Sequence, residues 1–317
     1  SGVPAGAVLS QGTGLGGGAW QVSTTELAAG HVSIRPPADS DADFSLHLST
    51  TLTDTGNSHS DTRTITGDLP ITVTAVADAP AITVADTHGA EDSSIALPGL
   101  SAALTDTDGS ETLSVVISGV PAGASLSAGT ALGNGAWQVA AGDLATLRMT
   151  PPRDFSGDIH LSLAATSADH DASTATSTGL FTVTVDAVAD VPILRIAPAI
   201  GNEDTPIPLT LSARATDIDG SESIAFFRID HIPAGALLAT AAGTLHAEAD
   251  GSVLVSASQA GSLTITPPAN SDADFSLRVS AIAREPNGST AESPAQDLAV
   301  TVRAVADTPT GLSGGGT

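Results

Sequence analysis

The chain has 317 residues, 41% hydrophobic and 3% aromatic, with 35 acidic residues against 10 basic ones and a formal charge of −25. That length suits two or three domains with packed cores, while the charge speaks against nucleic acid and against an anionic membrane surface, since both require basic patches. With no cysteine, disulfides, thiolate metal sites and cysteine nucleophiles are excluded.

No apolar run approaches the length of a membrane span, so direct membrane insertion is not expected. Ser1 opens no basic-then-apolar signal segment, which leaves export of a parent chain open. All ten basic residues are arginine. So large an excess of carboxylates repels itself in a compact state, and hard divalent cations with oxygen ligands are its natural counter-charge. The lack of disulfides favours an exported bacterial protein that relies on metal and core.

The sequence opens on Ser1-Gly-Val-Pro-Ala-Gly-Ala, which returns at Ser118 and, as His231-Ile-Pro-Ala-Gly-Ala, in a third copy. Gly18-Ala-Trp-Gln-Val recurs at Gly135, with Gly251-Ser-Val-Leu-Val as its third counterpart. A Pro-Pro pair then precedes an Asp-bearing loop and a phenylalanine, at Phe44, Phe155 and Phe275. Each copy closes on Ala-Val-Ala-Asp, at Ala75–Asp78, Ala187–Asp190 and Ala304–Asp307, with a proline two residues later that breaks the ladder and stiffens the link. The period is a whole domain rather than a solenoid turn. Residues 79–190 and 191–307 form two complete units. Residues 1–78 form a partial one lacking its N-terminal strands, so Ser1 is not expected to be a natural domain start; 308–317 lead into a next repeat.

Within a unit the hydrophobic period is two. Leu113-Ser-Val-Val-Ile, Ile159-His-Leu-Ser-Leu and Leu263-Thr-Ile-Thr read as half-buried strands, with Asn134-Gly135 and Asp250-Gly251 as turns between runs. Only Asp143-Leu-Ala-Thr-Leu hints at a helical turn. About seven short strands in a unit of this size is an all-β, immunoglobulin-like antiparallel sandwich pattern, here without its disulfide. The units are expected to stand in tandem, end to end.

The chemistry lies in the acidic loops. Asp106-Thr-Asp108-Gly-Ser-Glu111 and Asp217-Ile-Asp219-Gly-Ser-Glu222 are one motif in consecutive units, and Glu91-Asp92 and Glu203-Asp204 are a second. Asp-Gly alone is a turn former, but three acidic positions at fixed spacing suit the six to eight oxygen ligands of Ca²⁺. Strand parity puts the Glu-Asp pair and the Pro-Pro-x-Asp loop at the bottom of a unit and the Asp-x-Asp-Gly-Ser-Glu loop at its top. The first junction should then gather Asp39, Asp41, Asp43, Asp78, Asp106, Asp108 and Glu111. The second should gather Glu91, Asp92, Asp154, Asp158, Asp190, Asp217, Asp219 and Glu222. A half-site of Glu203, Asp204, Asp272, Asp274 and Asp307 follows the third unit.

Together, Glu91-Asp92, Leu104–Leu113 with its Asp106-Thr-Asp108-Gly-Ser-Glu core, the Pro-Ala-Gly-Ala turn, the Gly-Ala-Trp strand, Asp143-Leu-Ala-Thr-Leu, Thr150-Pro-Pro and the Ala-Val-Ala-Asp linker resemble the extender repeats of giant bacterial repeats-in-toxin (RTX) adhesins. The resemblance spans residues 1–310. It implies cadherin-like sandwiches secreted by a type I system to the bacterial cell surface. They would form a Ca²⁺-rigidified stalk whose partners are neighbouring repeats, with the host or surface ligand bound by another domain during attachment and biofilm formation. The third unit departs from the pattern, with Val253 in place of Trp and a different loop after Phe275.

Other signals carry less. Gly12-Thr-Gly14-Leu-Gly-Gly17 matches a dinucleotide fingerprint but has no following helix and reads as a glycine-rich hairpin. Asp169-His170-Asp171 occurs in one unit only and reads as an exposed loop. Paired carboxylates could serve a glycosidase, yet the sequence has no tyrosine and two tryptophans, too little for an aromatic-lined cleft, and Trp20 and Trp137 read as core. No catalytic residue is assigned. The competing reading is a module in which one repeat binds a glycan or protein directly, with the divergent Arg284–Asp297 segment as the first place to look.

Overall fold

The computed structural model describes residues 1–56, 59–106 and 108–306. The period-two segments become strands whose alternate side chains enter a core. Ile159, Leu161, Leu163 and Ala165 from Gly157–Asp169 meet Phe181, Val183 and Val185 from Thr174–Asp186, all at most 5% exposed. These two strands pair antiparallel in one six-stranded sheet, ordered Thr130–Gly133, Ala136–Val139, Glu111–Ser118, Gly157–Asp169, Thr174–Asp186, Thr87–Ala90. A three-stranded sheet of Ser125–Leu126, Arg148–Thr150 and Ile95–Ala96 supplies the second layer. Ile95, Leu97, Leu144, Leu147 and Met149 complete the core.

A second core, built the same way, runs from Leu194 to Val302. Its larger sheet orders Ala199–Asn202, Gln296–Arg303, Phe275–Arg284, Ser223–Asp230 and Val253–Ser256. The molecule is a tandem of antiparallel β-sandwiches.

Each sandwich begins with a strand that changes sheets. Ala81–Thr83 pairs antiparallel with Ser101–Ala103, and Thr87–Ala90 crosses to pair in parallel with Thr174–Asp186. Ile193–Ala197 and Ala199–Asn202 repeat the move against Thr210–Arg214 and Gln296–Arg303. Glycine permits the close crossing, because a Cβ on Gly201 would stand 2.5 Å from Ile207 Cγ1. The parallel pairing brings Glu91 and Glu203 beside the exit of the last strand, where their amides donate to the Asp186 and Arg303 carbonyls at 3.0 Å.

The expected hairpin at Asn134-Gly135 has both residues at positive φ, 52° and 74°, the tight turn that favours Asn-Gly. Asp250-Gly251 also turns, but after a loop rather than a strand. Gly12–Gly17 lies in a hairpin of Thr13–Gly16 with Ala19–Gln21. The Asp143 segment is a 3₁₀ turn, Ala141–Thr146, and its first-unit counterpart, Thr24–Ala28, is a short helix held by a Ser23/Glu26 capping box. One alignment shifts: Ile159, not Phe155, stands at the position of Phe44 and Phe275. All three face the strand that exits the unit, at Val183, Ile71 and Val300. Phe155 belongs to the preceding loop.

Residues 1–78 form separate ladders, chiefly Thr13–Gly16 with Ala19–Gln21 and Phe44–Gly56 with His59–Ile71. In the next unit Glu111–Ser118 joins the equivalent ladders by pairing with both. Leu48 is accordingly 43% exposed, whereas its counterpart Leu163 is fully buried. Leu163→Ala should therefore cost about 2–5 kcal/mol, the usual range for a buried leucine. Leu48→Ala should cost less than about 1 kcal/mol. Urea midpoints of the two variants check the difference, and equal losses would contradict the packing described.

Candidate metal centres at the junctions

The second linker, Ala187–Asp190, is gripped from both sides. The Val188 amide donates to Glu91 Oε1 of the preceding unit at 2.6 Å, and the Asp190 amide donates to Glu222 Oε1 of the following unit at 2.6 Å. Between them the Ala189 amide donates to Ser289 Oγ at 3.0 Å, and Asn287 Nδ2 donates to the Ala187 carbonyl at 2.7 Å. Three consecutive linker amides are thus satisfied by side chains rather than by a sheet partner.

Each glutamate spends one oxygen on that grip. The other, Oε2 of Glu91 and of Glu222, is buried and finds no hydrogen-bond donor among the described residues. Asp154 Oδ2 and both carboxylate oxygens of Glu285 share that condition, with Asp154 1% and Glu285 2% exposed. The one Ser221 hydroxyl proton goes to Asp217 Oδ2 at 2.9 Å, so Glu285 beside it goes without. Buried carboxylates without donors or cations are costly. Two of them belong to acidic clusters: Glu91, Asp217 and Asp219 each offer an oxygen within 4.8 Å of the others, and so do Asp92, Asp154 and Asp190.

Local backbone chemistry sets these positions. Asp92 and Asp154 take left-handed φ of 51° and 52°, a region Asp tolerates, and the Asp154 amide donates to Asp92 Oδ1 at 3.0 Å. The top loop folds on itself through Asx turns: the Asp219 amide donates to Asp217 Oδ1 and the Ser221 amide to Asp219 Oδ1, at 2.8 and 2.7 Å. The Ser156 amide and hydroxyl reach across from the preceding unit to Asp219 Oδ2 at 3.0 and 2.9 Å.

Electrostatics divides the cluster. Burial pushes Glu91 up, opposed by the Val188 amide but reinforced by the charges of Asp217, Glu285 and Asp219. Burial likewise raises Asp190, Glu222 and Glu285, and neighbouring carboxylates add to it in each case. Asp219 goes the other way. Burial works against its charge, but hydrogen bonds from Ser221 and Ser156 outweigh it and hold the group at about 2.

The first junction gathers a different set of acidic side chains. Asp39, Asp41, Asp78 and Asp106 line a cavity of about 220 Å³ together with Ser110 and Asp169. Glu111 Oε1 accepts from the Asp78 amide at 2.6 Å, leaving Oε2 buried without a donor among the described residues, and the Ala77 amide donates to Ser173 Oγ at 3.0 Å. Asp108 accepts from the Ser110 amide at 2.8 Å; hydrogen bonds from Ser110 lower its pKa, and His170 adds to the effect. Asp41 stands where the next junction has Ser156, so a carboxylate replaces a donor opposite the top loop. His170 answers it, with Nδ1 3.2 Å from Asp41 and 2.9 Å from Asp169.

Not every acidic residue of the sequence-based sets turns toward a junction cavity. Asp43 and Asp274 accept from the Val73 and Val302 amides, each at 2.8 Å, and Asp158 accepts from Thr184 Oγ1 at 2.7 Å. These equivalent side chains tie together the ends of the two long strands of a unit. After the third unit, Glu203 Oε1 accepts from the Val305 amide at 2.7 Å, Asp204 Oδ1 from the Asn270 amide at 2.9 Å, and Asp272 is exposed. Asp307 and the 308–317 tail lie outside the described residues.

Sequence reasoning missed Asp169, His170 and Glu285. One signal was available: Asp54, Asp169 and Glu285 stand at the same distance after Pro37, Pro152 and Pro268, each followed four residues on by a serine. The Asp-to-Glu exchange concealed the repeat, and Arg284–Asp297, read as a divergent surface, instead sends Glu285, Asn287 and Ser289 into the junction.

No family model and no curated protein matches the sequence. Among solved structures, the chain is similar to protocadherin gamma B2 extracellular cadherin domains 1–5, at 12% identity and a TM-score of 0.42, covering 82% of this chain and 45% of that one. It is also similar to mouse cadherin-23 EC22–24, at 12% identity and a TM-score of 0.40, covering 83% of this chain and 74% of that one. Protocadherin gamma C5 EC1–3 matches at 15% identity and a TM-score of 0.37, covering 93% of this chain and 89% of that one. The chain thus spans less than half the length of the first of these.

The raised carboxylates fix the sign of a pH effect. Between its ordinary value, 4.5 for Glu91, Glu222 and Glu285 or 3.8 for Asp190, and its raised folded value, each group binds more protons folded than unfolded. Stability in EDTA should therefore rise as pH falls from neutrality toward that window. Asp219, with its folded pKa lowered, gives stability that is lost only below its ordinary value of 3.8. Glu222→Gln, which keeps an acceptor for the Asp190 amide but removes the charge, should raise the melting temperature in EDTA at neutral pH and shrink the acid gain. Melting curves across pH 5–8 check both, and a variant that melts lower than the parent would contradict the electrostatics.

Proposed function

We propose that this chain is a calcium-stiffened structural extender, a stretch of stalk from a secreted bacterial surface adhesin that holds a distal binding domain away from the cell. The observation that carries the reading is the set of buried carboxylate oxygens without donors at the second junction: Glu91 Oε2, Asp154 Oδ2, Glu222 Oε2 and both oxygens of Glu285. The residues suit a hard cation in number and kind, being oxygen donors with excess negative charge. Glu91, Asp217 and Asp219 would hold one ion and Asp92, Asp154 and Asp190 another, with Glu222 and Glu285 close by; at the first junction Asp39, Asp41, Asp78, Asp106, Asp169 and Glu111 form the corresponding set. Bound calcium would supply positive charge that cancels the mutual repulsion and cross-links oxygens from both units.

The chain's own residues do the rest. Glu91 comes from one sandwich, Glu222 and Glu285 from the next, and Asp190 from the linker, so neutralising them together fixes the angle between two rigid bodies. Among the described residues no helix is long and apolar enough to cross a membrane, and the surface is strongly acidic, as suits a solvated spacer. The sequence resemblance to RTX extender repeats supports the bacterial setting, type I secretion and a part in attachment and biofilm formation.

Calcium titration should raise the melting temperature by an amount that grows with free ion, equivalent to about 2.7 kcal/mol at a hundred times the dissociation constant. Small-angle scattering should show a longer, stiffer particle in millimolar calcium than in EDTA. Glu285→Gln should weaken the titration without unfolding the apo chain. Identical scattering and melting in calcium and EDTA would overturn the proposal.

A further inference from the structure

We propose that the first junction also takes a nitrogen-accepting divalent ion such as zinc, held by Asp41, Asp169 and His170; this rests on the junctions being cation sites and adds a second kind of ion at one of them. Each of the three side chains offers a ligand atom within 4.8 Å of the other two. His170 Nδ1 lies 3.2 Å from Asp41 Oδ2 and 2.9 Å from Asp169 Oδ1. Donors bound tetrahedrally to zinc at about 2.0–2.1 Å stand about 3.3 Å apart, so the nitrogen already has near-ligand spacing from both carboxylates.

The backbone sets the arrangement in advance. Asp169 ends the strand Gly157–Asp169, and the tight turn after it holds His170: the Asp169 amide donates to the Ser173 carbonyl at 2.9 Å and the Ala172 amide to the Asp169 carbonyl at 3.1 Å, with Ala172 at a left-handed φ of 72°. The His170 amide donates to Asp169 Oδ1 at 2.7 Å and orients that carboxylate. Asp41 comes from the preceding unit, so an ion held by all three would bridge the joint. The Asp169 side chain is 3% exposed and that of His170 65%, which gives a buried anchor on one side and a path from solvent on the other.

Two polar atoms beside the cluster lack partners among the described residues. Ser110 lines the cavity of about 220 Å³ with Asp41 and Asp169, and its Oγ is buried and unbonded. Glu111, 7% exposed, pairs across the ladder with Asp169, and its Oε2 is in the same condition. The second junction offers no nitrogen here. Counted from the Pro-Pro pairs, Asp169-His170 corresponds to Glu285-Pro286 and Asp41 to Ser156. An all-oxygen set suits calcium, whereas imidazole suits zinc, copper and nickel. Asp39, Asp78, Asp106 and Glu111 remain at the first junction for the hard cation.

The test is calorimetric titration of the whole chain with zinc alone, first in saturating calcium and then in chelator-stripped, calcium-free buffer. One zinc per chain should bind in both. Losing an outer-shell partner already weakens a metal site about 10–100-fold, so His170→Gln should weaken zinc by at least that much. Asp41→Ser, which installs the residue of the second junction, should do the same. His160→Gln, on an exposed strand position, should change nothing. All three variants should keep the rise in melting temperature on adding calcium, which shows that they fold and separates this site from the calcium positions. Zinc bound without a calcium effect in the parent chain would remove the calcium reading and leave this site standing. Zinc binding unchanged by His170→Gln and Asp41→Ser would mean an adventitious ion only and would overturn the proposal, as would zinc that saturating calcium displaces.

Discussion

The joint between the second and third sandwiches depends on one economy of atoms: Glu91 and Glu222 each give one carboxylate oxygen to a linker amide and leave the other buried with nothing to accept from. The first oxygen positions the linker, and the second makes that position electrostatically expensive. Turning either glutamate away would also take the side-chain acceptor from a part-buried linker amide. The surrounding hydroxyls of Ser156, Ser221 and Ser289 settle individual acceptors or amides but bring no positive charge. Among the described residues the one ion pair within 4.0 Å in this cluster is that of exposed Arg153 with Asp154, at 3.2 Å.

The two junctions solve this problem differently. Where the second has the neutral donor Ser156 opposite its top loop, the first has Asp41, and His170 stands against Asp41 and Asp169. The repeat thus accommodates different side chains at equivalent positions of the loop pair. The same tolerance appears in the Asp169/Glu285 pair, where a longer side chain on the third unit reaches the cluster from the same strand end.

Much of this was legible in the sequence. Alternation in Ile159-His-Leu-Ser-Leu named the buried face of its strand, and Asn134-Gly135 named its turn, because both signals are local. The Asp-x-Asp-Gly-Ser-Glu loop and the Glu-Asp pair were legible through recurrence, and strand parity alone placed them at opposite ends of a unit. Two things were hidden. The strand pairing that draws Asp43, Asp158 and Asp274 onto neighbouring strands is a matter of register, and an acidic residue looks the same in sequence whether it caps a strand or faces a cavity. The loops carrying Asp169 and Glu285 were hidden because long strands separate them from every other acidic landmark.

The parallel pairing of each sandwich's early strand with its last strand has a mechanical meaning. Thr87–Ala90 lies beside Val183–Asp186 and points the same way, so tension applied through the two linkers pulls the pair in opposite directions along their length. Their ladder is loaded in shear, and its hydrogen bonds must fail together rather than one after another. A hairpin at that edge would unzip from its end under much less force. The sandwich is thereby arranged to resist being drawn out along the axis on which its neighbours are attached.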